Sequence, residues 1–155
     1  MVRRYSWLVL VAVLLCGAVP LSASSTPPVA GQFAGIELCE QAVCGAAYFT
    51  GLFAGQFGSN PFAVGSIVVS VIHDPLPPPN APANINGGAW QIKLLNGKSL
   101  GGYISGGTLI NHNGDGTFLV TVNMVANVNG SGTLTFDGVL SHNTFPPTIS
   151  GRIKQ

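Results

Sequence analysis

Three histidines, His73, His112 and His142, each close a candidate strand and extend its apolar alternation. Neutral imidazoles on convergent strands are what a three-histidine zinc site with an open fourth position requires, and Asp74 and Asp115 would orient them from behind. Hairpin register argues against a shared ion. Pairing Ile110 with Phe118 and Val128 with Leu134 sets His112 and His142 four residues apart along the strands. That step is roughly 13 Å, whereas zinc binds each nitrogen at about 2 Å. All three are expected at the solvent boundary of strand ends, and no metal ligand is assigned.

Other motifs are equally spare. Asn111-His112-Asn113-Gly114-Asp115-Gly116 has the look of a calcium loop, but Val122 stands where the bidentate glutamate belongs. A hairpin turn accounts for the same residues. No Gly-x-Ser-x-Gly elbow, phosphate-binding loop or His-Glu-x-x-His occurs. The acids are Glu37, Glu40, Asp74, Asp115 and Asp137. Glu37 and Glu40 flank the Cys39/Cys44 turn, Asp137 falls on the expected wet face, and no acid–base pair is assembled locally. No catalytic residue and no cofactor is therefore expected. Asn129-Gly130-Ser131 is formally a glycosylation acceptor.

The segment 1–23 carries Arg3 and Arg4, then the apolar run Trp7–Gly17, and runs into the small-residue stretch Leu21-Ser22-Ala23-Ser24-Ser25. It reads as a secretory signal peptide, since the run is short of the roughly 18 apolar residues that span a bilayer. Its loss would leave four basic and five acidic side chains, one net negative charge. Charged residues make up 7% of the chain, against roughly 25% in ordinary soluble domains. So little basic charge removes the electrostatic footing for nucleic-acid binding. In an oxidising compartment Cys39 and Cys44 are expected to form a structural disulfide, and no transmembrane segment is expected in the mature chain.

Residues 24–34 are expected to be a flexible lead-in, and 35–155 one all-β domain interrupted by a proline-rich connection over 74–88. Candidate strands fall at about 35–39, 44–57, 62–73, 89–95, 99–112, 117–128, 133–142 and 148–154, with no convincing helix. Asn96-Gly97, Asn113-Gly114 and Asn129-Gly130 break period-2 runs where tight hairpins need positive φ. A faint repeat sets register: Phe49 opposite Ile67 with Gly51 opposite Gly65, and Phe136 opposite Ile153 with Gly138 opposite Gly151. A two-residue turn at Asn96-Gly97 pairs Trp90 with Tyr103. Ile110 then joins the Trp90 face only if Gly106-Gly107 forms a bulge.

Hairpin after hairpin predicts an antiparallel meander of about eight strands closed, or nearly closed, into a small barrel, with a two-sheet sandwich as the alternative. The architecture resembles calycin-like and allene-oxide-cyclase-like barrels in shape alone. Gly88-Ala89-Trp90 is similar to the lipocalin Gly-x-Trp signature but lies mid-chain, with too few strands after it. The leading functional expectation is a secreted, non-enzymatic barrel that binds a small apolar ligand in space left by Gly51, Gly65, Gly138 and Gly151. The alternatives are a structural or surface-interaction protein of the cell envelope and a small barrel enzyme of isomerase or cyclase type.

Overall fold

The computed structural model describes residues 28–75, 78–112, 119–128 and 132–155. Eight strands follow one another: β1 (Val29–Cys39), β2 (Ala47–Phe57), β3 (Asn60–His73), β4 (Pro82–Leu94), β5 (Ser99–Asn111), β6 (Leu119–Asn127), β7 (Thr133–Ser141) and β8 (Thr148–Lys154). Each pairs antiparallel with the next, and β8 returns to β1. The meander is thus a closed barrel, which leaves no sheet edge unpaired. A single helical turn, α1 (Gln41–Cys44), lies between β1 and β2 where strand had been expected to begin. The signal-like segment 1–23 and the turns at Asn113-Gly114 and Asn129-Gly130 lie outside the described residues.

Several expected boundaries move. Residues 29–34 belong to β1, because Val29, Gly31 and Phe33 are in inward phase, and Val29 and Phe33 are buried. The proline-rich connection ends at Ala81, and Pro82–Gly88 already pair as β4. Pro82 opens that strand, where its missing N–H costs least.

The second repeat hairpin has the expected register, with Phe136 opposite Ile153 and Gly138 opposite Gly151. The first is slipped by two residues: Phe49 meets Val69, Gly51 meets Ile67 and Phe53 meets Gly65. A tight turn at Gly58-Ser59, with an irregularity between Gly55 and Phe57, replaces the wider turn that the expected register needs. A slip of two keeps every side chain on its own face. Phe49, Phe53 and Ile67 are accordingly buried as the alternation requires.

Around Asn96-Gly97 the difference is one residue. Trp90 faces Gly102, and Ala89 faces Tyr103. The loop holds three residues, since Leu94 N–H bonds the carbonyl of Lys98 across Leu95-Asn96-Gly97 and only Gly97 takes positive φ (84°). The bulge in β5 falls between Ile104 and Gly106, a step before the expected position, and it turns Leu109 rather than Ile110 inward. β4 reverses its inner face at the same level, from Ile85 to Trp90. Gly88 (φ 144°) and Gly107 (φ 150°) hold this corner in backbone that L side chains rarely adopt.

The barrel centre is aromatic. Phe136 packs edge-to-face on Phe33 at 6.1 Å and on Trp90 at 5.6 Å. The Phe33 ring lies over the Gly138–Gly151 pair, so a Cβ on Gly151 would come within 2.8 Å of it. Across the β1–β2 seam Gly35 opposes Gly51, and a Cβ on Gly51 would stand 2.6 Å from the Gly35 Cα. We expect Gly35→Ala and Gly51→Ala each to destabilise the barrel by about 1–3 kcal/mol through overpacking. Urea unfolding checks this, with the exposed Ala34→Gly as a control in the same strand.

Candidate functional site

Strands β1, β3, β5 and β7 run toward one end of the barrel, and the residues at their ends build its mouth. A cavity of about 370 Å³ opens there. Ala47, Phe49, Val71, Leu109, Met124, Leu140 and Ile149 wall it, while Glu37, Glu40, Gln41, His73 and His142 supply its polar groups. The apolar walls follow from inward phase on neighbouring strands. The cavity lies above the Phe33–Phe136–Trp90 layer that fills the middle.

One side of the mouth is closed by α1. Val43 and Cys44 N–H bond the carbonyl of Glu40, and Gly45, in left-handed conformation (φ 76°), donates to Gln41. The Cys39–Cys44 disulfide, with Cα atoms 6.2 Å apart, ties the ends of this turn together. Gln41 then reaches across to β3: its Nε2 donates to the His73 carbonyl and its Oε1 accepts from His73 N–H, both at 2.7 Å. The rim just beyond this contact is set by Asp74. Its carboxylate accepts from Asn84 Nδ2 (2.9 Å) and Asn86 Nδ2 (2.8 Å), which hold its pKa below the usual carboxylate range. These bonds pin the start of the proline connection to β4 and place Pro75 on the cavity wall.

Glu37 is the polar residue set deepest in this wall. It continues the inward phase of Val29 and Phe33, and its side chain is only 4% exposed. Its Oε2 lies 3.0 Å from His142 Nε2 yet has no hydrogen-bond partner among the described residues. His142 Nδ1 is 4.0 Å from Glu40. Burial, with the neighbouring Glu40 adding to it, pushes the Glu37 pKa up to about 7. The group can thus donate a hydrogen bond into an apolar space when protonated and carry a buried negative charge when not. A carboxyl and an imidazole in contact beside a cavity also form a pair between which a proton can pass.

The other sequence candidates fall elsewhere. His73, His112 and His142 do share one end, as alternating strand direction requires. The register that set two of them apart is replaced: Val120 pairs with both Asn111 and Leu140, so His112 and His142 stand within about one step of each other. Facing separates them instead, since His112 is exposed and follows the buried Asn111. Among the described residues no three His, Cys, Asp or Glu side chains gather as a metal site would need. Asp115 lies outside the described residues.

Gly51, Gly65, Gly138 and Gly151 do not enclose a common space. Gly51 borders a void of only about 10 Å³ beneath the mouth, and Gly65 abuts the backbone of Lys93 and Leu94. The gap at Gly138 and Gly151 is taken by Phe33. Comparison with protein families, curated proteins and solved structures found no match.

Two outcomes follow from this geometry. The folded chain keeps the Glu37 proton that the unfolded chain releases above its ordinary pKa of 4.5. Its stabilising effect is therefore complete below that pH and is lost as pH rises through about 7, a change of about 3 kcal/mol at most. Urea unfolding at the two pH limits should show this slope in the parent chain and its removal in Glu37→Gln. Cys39→Ser with Cys44→Ser should cost about 2 kcal/mol on the chain-entropy account of a short closed loop, read in the same assay.

Proposed function

We propose that this chain is an exported, non-enzymatic β-barrel that binds a small, mainly apolar ligand in the cavity at its mouth. The single observation that carries this reading is the cavity itself: about 370 Å³ of apolar-walled space with its few polar groups gathered around Glu37 and His142. Ligand sites are of this kind, apolar walls with a small number of placed polar groups that fix orientation. Export rests on the signal-like segment 1–23 and on the Cys39–Cys44 disulfide, which persists in oxidising compartments.

A second reading, interaction with an envelope protein or self-association, draws on one feature of the outer wall. Leu38 of β1, Leu52 of β2, and Val64, Val68 and Ile72 of β3 are all exposed. No charged side chain interrupts the outward positions of these strands. Exposed apolar surface of this kind marks interaction sites. Sedimentation across a concentration series would support this reading if the chain associates and Leu52→Lys abolishes it; a monomer at every concentration would count against it.

The cavity reading is tested by filling the cavity. Ala47 is buried in its wall, and Ala47→Phe should place a ring in the ligand's space. Titration calorimetry with n-octanol should show saturable binding to the parent chain, weakened by at least about tenfold in the variant. The thermal midpoint of the variant should stay near that of the parent. Absence of binding, or binding that the filled cavity leaves unchanged, would contradict the assignment.

A further inference from the structure

Charge is distributed unevenly along the barrel. The basic side chains Lys93, Lys98, Arg152 and Lys154 sit on the last residues of β4 and β8 or in the turn after β4, at or toward the end away from the mouth. The mouth has Glu37, Glu40 and Asp74, and among the described residues no lysine or arginine lines the cavity. A carboxylate ligand entering head-up would meet acidic groups with no cation to balance it. A ligand cation would meet the opposite.

Glu37 makes the preference specific. It lines the cavity, and among the described residues its buried Oε2 has His142 Nε2 in contact at 3.0 Å but no hydrogen bond, a state that costs free energy. An ammonium group has three donors and no acceptor, so it can pair with the Glu37 carboxyl and reach toward Glu40, 4.0 Å from His142, at the same rim. Resting on the apolar-ligand reading above, we propose that the cavity selects hydrophobic amines: the apolar body lies against Phe49, Met124 and Leu140, and the ammonium pairs with Glu37. No bond forms or breaks; the ligand binds as a cation and leaves as one.

The pairing has a pH signature. The titratable groups that line the cavity are Glu37 from β1, Glu40 beside α1, His73 at the end of β3 and His142 beyond β7, with Asp74 at the rim next to His73, and none of the other described wall residues titrates. Raising pH from about 5.5 to 8 removes the Glu37 proton, held up to about 7 by burial. That change favours a bound cation, and an alkylamine stays protonated over that range. Charge-assisted hydrogen bonds to a buried partner are the strong ones, so the preference should be large.

The test uses three probes with one tail, n-octylamine, n-octanol and n-octanoate, titrated into the purified chain by calorimetry at both pH values. At the higher pH octylamine should bind at least tenfold more tightly than octanol, with octanoate weakest, and the gap should narrow at the lower pH. Glu37→Gln should abolish the amine preference while keeping octanol binding, and Glu40→Gln, at an exposed position, should reduce the preference severalfold. Equal binding of amine and alcohol, or tightest binding of octanoate, overturns the amine proposal and leaves the apolar-ligand reading standing. An amine preference unchanged in both variants overturns the assignment to these carboxylates. If no probe binds, both readings fall.

Discussion

Closing eight antiparallel strands on themselves is the constraint from which the rest of this molecule follows. A ring this small demands sharp local bending and close approach of neighbouring backbones, and only glycine permits either without strain. Gly35 against Gly51 brings β1 and β2 together, while Gly88 and Gly107 turn the β4–β5 corner through conformations that other residues rarely adopt. The inner faces of β4 and β5 reverse at that corner. Leu109 thereby comes to face the mouth cavity while Trp90 faces the packed centre.

The interior is divided by the same geometry. In the middle, the space left by paired glycines is taken by the Phe33 ring, which packs on Phe136 as Trp90 does. Toward the mouth the inward residues line the wall, and the space between them stays open. The carboxyl of Glu37 is held at this boundary between packed and open regions. A buried carboxyl without a hydrogen bond on one oxygen is costly. Barrel closure keeps it there, because β1 is paired on both sides and Glu37 N–H is bonded to the Pro147 carbonyl.

The all-β class, barrel closure and β7–β8 register can be read directly in the alternation and the turn residues. Pairing in the β2–β3 hairpin cannot, because a two-residue slip buries the same side chains and only the turn at Gly58-Ser59 decides between the registers. At Asn96-Gly97 a three-residue loop in place of two moves Tyr103 from opposite Trp90 to opposite Ala89. The site was hidden for a related reason. A strand taken to begin at Gly35 conceals that Glu37 is in phase with Val29 and Phe33; once β1 starts at Val29, a carboxylate in an inward position stands out. No local pattern reveals that His142 meets it, since β1 and the end of β7 come together only when the barrel closes.

The central claim is that Glu37 is the polar end of an apolar, ligand-accepting cavity, and its own titration tests it most directly. Glu37 and Glu40 are the only glutamates of the chain, so carbon-labelled glutamate gives two carboxyl signals to follow by NMR. The Glu37 midpoint should lie at about 7 in the free protein. It should fall by roughly a unit or more when n-octylamine is bound, because a ligand that prefers the anion must lower its pKa. A midpoint near the ordinary value of 4.5, with no response to the amine, would mean that the carboxyl is solvated and the mouth is not the site described.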